Sequence, residues 1–169
     1  MTQIEMNNGH LNLPNPLDMI ENMMGANGWA YERVGEEEIS AALQGQWCDY
    51  QLRFYWREEG RVLQAACMFD VRIPEARRKP IYETLARINE RLWIGHFETW
   101  LDEGIIMYRH ASFVRDDAEG VDEGLCQSVI QTAIAECERF FPVFQFVIWA
   151  GKSPREAIEA ALLDTVGEA

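Results

Sequence analysis

Two stretches of the chain alternate between apolar and polar residues, as strands do when one of their faces lies in a core. In residues 47–57 the apolar positions are Cys48, Tyr50, Leu52, Phe54 and Trp56. In residues 62–73 they are Leu63, Ala65, Cys67, Phe69, Val71 and Ile73. A turn centred on Glu59 and Gly60 pairs Trp56 with Leu63, which puts both apolar faces on the same side of the sheet. The pattern therefore predicts a β-hairpin in this register.

A second hairpin is predicted from residues 94–101 and 105–114. The residues between them, 102–104, end in glycine and suit a three-residue loop with glycine in the left-handed position. This loop places Leu101 opposite Ile105. This pairing also determines which side chains of residues 105–114 lie on the same sheet face as those of residues 94–101.

Helical spacing is found in the remaining long segments. Asn15 and Pro16 form an N-cap with proline in the first helical position, and Ser153 and Glu156 form a capping box before a last helix that runs to about residue 166. Residues 140–150 fit a helix or a strand, because a short apolar run has no period that separates the two. We predict that the preceding helix continues through them with a kink at Pro142.

The predicted order is one helix, four strands, one helix, two strands and two helices. The helices cover roughly residues 16–24, 79–92, 121–150 and 153–166, and the strands cover roughly 29–34, 39–43, 47–57, 62–73, 94–101 and 105–114. Strands that pair as hairpins favour an α+β fold, with a largely antiparallel sheet and helices packed on one face. We predict a flexible leader in residues 1–14 and a single domain in residues 15–169.

The charge excludes some classes of partner. The chain has 169 residues, with 28 acidic and 15 basic side chains and a net charge of −13. This charge repels nucleic-acid phosphate and anionic lipid, so neither is expected as a partner. No apolar run approaches the roughly 18 residues that span a bilayer, and residues 1–16 contain no basic residue and no apolar signal core.

The cysteines indicate a reducing compartment. Cys48, Cys67, Cys126 and Cys137 show no C-x-x-C spacing and lie among apolar residues, which is typical of reduced core thiols. In the predicted first hairpin, Cys48 and Cys67 lie roughly 13 Å apart, too far for a disulfide. We therefore expect a cytoplasmic protein.

One weak candidate for a metal site lies in the second hairpin. In the predicted register His96 faces His110, with Cβ atoms about 5 Å apart, and Glu98 lies two residues along on the same face. A structural metal site usually needs three or four ligands, and no further Cys or His is offered nearby. A partly exposed cross-strand pair explains the same residues, so no cofactor is expected.

Other chemical motifs are incomplete. Asp49 is predicted to face Asp70, but no nucleophile or oxyanion donor accompanies this carboxylate pair. Lys152 and Ser153 are similar to the end of a phosphate loop, yet Phe146 occupies the position of its first glycine. The sequence therefore favours a protein that is not an enzyme.

The sheet face opposite the helices is predicted to be unusually aromatic. The predicted registers place on it the candidate interface residues Trp47, Arg53, Tyr55, Met68, Trp100, Ile106 and Tyr108, together with the two histidines. Aromatic residues and arginine are enriched at protein interfaces, and contiguous apolar surface usually marks one. Either another protein or the chain's own tail covers this face.

Three segments resemble the YbjN-domain family. Residues 88–97 read INERLWIGHF and residues 104–109 read GIIMYR, and the closing residues 149–157 resemble the C-terminal part of its alphaproteobacterial members. The resemblance implies a fold similar to type III secretion chaperones, which are small α+β domains that pair into dimers. It also implies a role as a bacterial sensory transduction regulator. The family has no agreed catalytic residues, so only Asn89 and Gly95 are transferred, as a polar contact at a helix end and the start of a strand.

The functional prediction is a non-enzymatic protein-binding module, chaperone-like or regulatory. We expect a homodimer with a further protein partner that the sequence does not identify. The alternative is a small metal- or ligand-binding enzyme that uses the hairpin face of His96, His110 and Glu98. A structural component of an assembly is a third hypothesis.

Overall fold

The computed structural model describes residues 15–115 and 121–164. Its helices are α1 (Pro16–Ala26), α2 (Arg78–Asn89), α3 (Glu123–Ile148) and α4 (Pro154–Asp164), and a 3-10 turn, Glu75–Arg77, precedes α2. Its strands are β1 (Ala30–Val34), β2 (Glu38–Gln44), β3 (Asp49–Arg57), β4 (Val62–Arg72), β5 (His96–Trp100) and β6 (Ile105–Phe113). This is the predicted order of helices and strands. The leader predicted in residues 1–14 lies outside the described residues.

The six strands form one antiparallel sheet in the order β1-β2-β3-β4-β6-β5. Buried apolar residues of all four helices and of one sheet face make up the main core. We call this sheet face the inner face and the opposite one the outer face. The α+β fold with helices on one side of an antiparallel sheet is therefore confirmed.

The first hairpin has the predicted register. Trp56 pairs with Leu63, and Cys67 pairs with Leu52. Leu52, Leu63 and Cys67 are fully buried, and Trp56 nearly so, because the apolar positions of both strands point to the inner face.

The helix ends follow the predicted capping. The side-chain oxygen of Asn15 accepts a 2.9 Å hydrogen bond from the backbone N–H of Leu17, with Pro16 in the first turn. In α4 the hydroxyl of Ser153 donates to Glu156 Oε2 at 2.7 Å, and the Ser153 backbone N–H donates to the same oxygen at 3.0 Å. These bonds satisfy groups that a helix leaves without partners at its N-terminus.

Helix α3 runs without interruption through the segment that fitted either a helix or a strand, so the helical prediction is confirmed. Pro142 lacks an N–H and cannot donate to the carbonyl of Glu138, four residues earlier. The indole Nε1 of Trp47 donates to this carbonyl instead, at 3.0 Å. The indole of Trp47 is therefore turned toward α3, and its predicted place on the outer face is wrong.

The predicted register of the second hairpin is wrong by one residue. Trp100 pairs with Ile105 and His96 pairs with Arg109, because the loop has four residues, not three. Gly104 ends the loop with a φ of +65°, and its N–H donates to the carbonyl of Trp100 at 2.7 Å. A shift of one residue sends every side chain of β6 to the opposite face from the one predicted.

Two residues that the family resemblance identified hold β5 in place. The side-chain oxygen of Asn89 accepts from the Phe97 N–H at 2.8 Å, and its amide donates to the Phe97 carbonyl at 3.0 Å. Gly95 has a φ of +69°, and a Cβ there would collide with the side chain of Tyr108. Their predicted roles, at a helix end and before a strand, are confirmed.

Candidate protein-binding surface

The outer face carries apolar side chains at its centre, on β4 and β6. Met68 pairs with Met107, and Ala66 pairs with Arg109 in the next row along the strands. Met107 is 1% exposed, and Met68 and Ala66 are each 5% exposed. They form a small cluster with Tyr55 and Ile105 to which no residue of the four described helices belongs. Among the described residues, the apolar neighbours of these side chains are therefore residues of the sheet.

A groove runs across this part of the outer face. One section has a volume of about 270 Å³ and is lined by Tyr55, Arg57, Gln64, Ala66, Met68, Trp100, Met107 and Arg109. The adjoining section, of about 470 Å³, is lined by Glu37, Glu38, Tyr55, Trp56, Arg57, Val62, Gln64 and Arg109. Since four residues line both sections, they form one continuous depression, which we call the outer groove.

A charged cluster holds the groove wall beside β5. Arg109 forms an ion pair with Glu98, and Glu98 Oε2 also lies 3.1 Å from Nε2 of His96. Burial by itself would raise the pKa of Glu98, but the hydrogen bonds from Arg109 and His96 outweigh burial and lower it. The carboxylate is thus held ionised and orients the Arg109 guanidinium.

The structure brings together only part of the predicted interface set. Arg53, Tyr55, Met68 and Trp100 lie on the outer face, with Trp100 38% exposed. Arg53 lines a separate hollow over β1 to β3. Of the remaining three, Trp47 lies against α3 as described above.

Ile106 and Tyr108 are buried on the inner face, which corrects their predicted place. The Tyr108 hydroxyl donates to the carbonyl of Ile94 at 2.8 Å. Their positions on the outer face are taken by Ile105, Met107 and Arg109, which sequence reasoning missed. No alternation could have identified them, because four consecutive residues of β6, 105–108, are apolar.

The two hairpin histidines lie on opposite faces of the sheet. His96 is on the outer face beside Glu98, whereas His110 pairs with Ala65 and points toward the helices. The Nε2 of His110 lies 3.2 Å from the hydroxyl of Ser112, and burial lowers the pKa of the imidazole. The predicted set of His96, His110 and Glu98 is therefore not assembled. Within residues 15–115 and 121–164, no group of three or more His, Cys, Asp or Glu could hold a metal ion.

All four cysteines are free, and three of them are buried. Cys137 Sγ lies 3.9 Å from the carbonyl oxygen of Cys67. Burial raises the pKa of Cys48 and of Cys126 to about 11 each. These two thiols are thus held neutral at pH 7.

The fold and the groove define a small α+β protein with helices on one side of its sheet and, on the other, a partly apolar face that the described helices leave uncovered. Residues 16–146 match the YbjN family, whose description is "Putative bacterial sensory transduction regulator". The match covers most of the chain, so the protein belongs to the YbjN family.

Among solved structures the chain is similar to one titled "Crystal structure of YbjN, a putative transcription regulator from E. coli". The identity is 10% and the TM-score 0.49, over 72% of this chain and 85% of that one. No curated protein matches the chain. Of the helices that the structure describes, none combines the length and the apolar character needed to cross a membrane.

Proposed function

We propose that this protein is a non-enzymatic, regulatory or chaperone-like protein that works by binding another protein on its outer face. The observation that carries the proposal is the cluster of Met68, Met107 and Ala66, buried on a sheet face that the described helices leave uncovered. The family description as a regulator supports a role in binding.

The composition of strands β4 and β6 supports this reading. An antiparallel sheet with one solvated face usually alternates apolar residues inward with polar residues outward. Strand β6 departs from this pattern, because Ile105 and Met107 point outward while Ile106 and Tyr108 point inward. Apolar residues on a face that the described helices leave uncovered support a binding role for this face.

The side chains around the groove are those of a protein-binding surface. Methionine adapts its shape to a partner, so a methionine floor accepts varied apolar side chains. Tyr55 and Trp100 supply aromatic area, and Arg57 and Arg109 supply hydrogen-bond donors, both of which are enriched at interfaces. The four free thiols support a cytoplasmic location.

The test is a selection of ten-residue peptides displayed on phage against the folded protein. Peptides selected on the wild type should lose binding to Trp100→Asp and keep it with Tyr82→Asp. Tyr82 lies on α2 and is 41% exposed, so it matches the exposure of Trp100 on the opposite side of the molecule. Circular dichroism checks that both variants are folded.

Three results would contradict the proposal. The first is a selection that yields no peptide that binds the wild type. The second is a set of peptides whose binding depends on Tyr82 and not on Trp100. The third concerns a homodimer, because a second copy of the chain is a rival occupant of this face. A wild-type dimer in light scattering that Trp100→Asp splits into folded monomers would assign the outer face to a second copy.

A further inference from the structure

Strand β6 extends beyond the strand that borders it at the edge of the sheet. Its pairing with β4 continues to Phe113, but its pairing with β5 ends at Arg109. Gly95, with a φ of +69°, turns the chain just before β5, and the residues that precede it do not pair with β6. Residues 110–113 of β6, which we call the overhang, therefore have a paired strand on one side only within the described part of the chain.

The backbone groups of the overhang point alternately toward β4 and away from it. In an antiparallel strand, the N–H and the carbonyl of one residue point to one neighbour and those of the next residue to the other side. The N–H of Val114 donates to the carbonyl of Arg61, which precedes β4, at 2.8 Å. The backbone groups of Ala111 and Phe113 therefore point away from β4. Within residues 15–115 and 121–164 these groups have no hydrogen-bond partner.

The two edge strands are protected against pairing with another strand, but the overhang is not. On β5 the side chain of Asn89 bonds to both the N–H and the carbonyl of Phe97. Strand β1 has five residues and carries the charged Glu32 and Arg33, and short, charged edges resist pairing. The overhang reads HASF, with no lysine, acidic residue or proline. An edge of this kind is a template for an added strand.

The side chains around the overhang favour an apolar partner. Trp93 and Phe113 are the two most exposed large apolar side chains of the described residues, at 100% and 79%. Phe113 lies on the outer face at one end of the overhang. Trp93 lies at the other end, two residues before Gly95, which lies against the carbonyl of Arg109. Ala111 is exposed and small, so a neighbouring strand can carry a larger side chain opposite it.

We propose that the overhang binds an extended segment of a partner protein as an added strand in line with β5. The segment exchanges backbone hydrogen bonds with Ala111 and Phe113, which give the affinity in strand addition. The residues that make these bonds lie directly opposite Ala111 and Phe113, so their side chains lie on the outer face and are apolar. The inference goes beyond the proposed function, because neither Ala111 nor Phe113 lines the outer groove.

Two isomeric peptides test the backbone bonds. Each is a fluorescein-labelled ten-residue peptide of alternating valine and threonine, and one is N-methylated on its valines, the other on its threonines. An N-methyl group removes the N–H of its own residue, and the valines are the residues expected opposite Phe113. In fluorescence anisotropy the peptide methylated on threonine should bind more tightly by about tenfold or more.

A proline in the overhang tests the same bonds from the side of the protein. Ala111→Pro removes an N–H that points away from β4, and proline is tolerated at such edge positions. It should weaken binding of the threonine-methylated peptide by about tenfold or more. Ala111→Val keeps the N–H and should bind like the wild type. Equal losses in the two variants would overturn the inference.

A second pair of variants covers the case in which circular dichroism shows that Ala111→Pro does not fold. Phe113→Asp should weaken binding of the threonine-methylated peptide by about tenfold or more, because it removes an aromatic contact and adds a charge. The control is Trp149→Asp, since Trp149 is also exposed but follows helix α3. Equal affinities of these two variants would contradict the proposed site.

Amide hydrogen exchange shows whether the peptide lies at this edge. In the free protein the amides of Ala111 and Phe113 should exchange fast, whereas that of Ser112, which pairs with Leu63, should exchange slowly. A saturating concentration of the threonine-methylated peptide should slow exchange at Ala111 and Phe113. Slow exchange of these two amides in the free protein would show that the edge is already paired and would overturn the inference.

The outcomes separate this inference from the proposed function. If the two methylated peptides bind equally, or not at all, the added strand is wrong and the phage test of the outer face is unaffected. Trp100→Asp should leave the affinity unchanged, because Trp100 lies at the far end of β5; a loss there would move the peptide to the outer groove. A wild-type dimer that Ala111→Pro splits into folded monomers would assign the overhang to a second copy.

Discussion

The two faces of the sheet are made by the same six strands, yet they are covered in different ways. On the inner face aromatic rings interlock with the helices: the centroids of Phe69 and Phe97 lie 6.1 Å apart, and each lies 5.5 Å from that of Phe144 on α3. On the outer face the buried residues of the described part of the chain are two methionines and an alanine, which cluster with Tyr55 and Ile105 of neighbouring strands. Interlocked rings favour one fixed arrangement, whereas methionine tolerates several. The inner face therefore supports the fold, and the outer face is the one on which we propose that a partner binds.

The largest expected effect contrasts one residue from each face of β5. Phe97→Ala removes a ring that is 2% exposed and contacts four other aromatic rings. It should lower the free energy of unfolding by about 3–5 kcal/mol. Trp100→Ala, on the outer face, should lower it by less than about 1.5 kcal/mol. Urea unfolding measures both, and equal losses would remove the contrast between the faces.

A methyl group at Gly95 tests how tightly β5 is held against the inner face. Gly95→Ala forces alanine into a left-handed conformation, and its Cβ would lie 2.8 Å from the carbonyl oxygen of Arg109. The two effects should lower the free energy of unfolding by about 2–5 kcal/mol in total. Gly25→Ala is the control, because a Cβ there meets nothing within 4 Å inside helix α1. It should stabilise the protein by about 0.4–1 kcal/mol. A Gly95→Ala variant as stable as the wild type would show that β5 can shift.

A substitution of Asn89 tests whether its side chain protects the edge strand β5. Asn89→Ala leaves the N–H and the carbonyl of Phe97 without their partner, which should cost about 1–3 kcal/mol. It should also increase self-association, because the unpaired edge of β5 can then pair with another strand. Asn27→Ala, which removes a single exposed bond to the Met23 carbonyl, should cost less than about 1 kcal/mol. Urea unfolding and light scattering check the two effects. A variant that loses stability but keeps the light-scattering mass of the wild type would show that the edge is protected in another way.

The smallest expected effect is the pH dependence contributed by Glu98 on the outer face. Its pKa is lower in the folded protein than in the unfolded chain, so its contribution to stability is present above about pH 4.5 and is lost as the pH falls through the folded pKa. Glu98→Gln should therefore reduce the loss of stability in acid, by less than about 1 kcal/mol. Urea unfolding between pH 3 and pH 7 measures this difference. Parallel curves for the two proteins would mean that the ion pair with Arg109 does not contribute to stability.

The two hairpins show how far the sequence could be used to predict the sheet. In the first, apolar and polar residues alternate over both strands, and only one register puts all the apolar residues on one face. In the second, residues 105–108 are all apolar, so two registers satisfy the pattern equally well. Both hairpins in fact have four-residue loops that end in a left-handed residue, Arg61 in one and Gly104 in the other.

The wrong register predicted for the second hairpin also explains which residues of the outer groove were missed. Tyr55, Met68 and Trp100 belong to strands whose faces were predicted correctly, and they line the groove. Met107 and Arg109 were missed because they lie on β6, where the register was wrong. The place of Trp47 depends on a contact with α3, about ninety residues away in the chain, and no local pattern contains that information.

The sequence by itself determined the order of helices and strands, the helix caps and the first register, since each depends on residues that are close neighbours in the chain. The tertiary structure decided which face of β6 meets the helices and which carbonyl the indole of Trp47 satisfies. It also decided that two methionines and two arginines share one groove. These features depend on how distant segments fill the space between sheet and helices. The physical reason is that the local sequence pattern fits two registers of β6 equally well, and the burial of apolar side chains selects one of them.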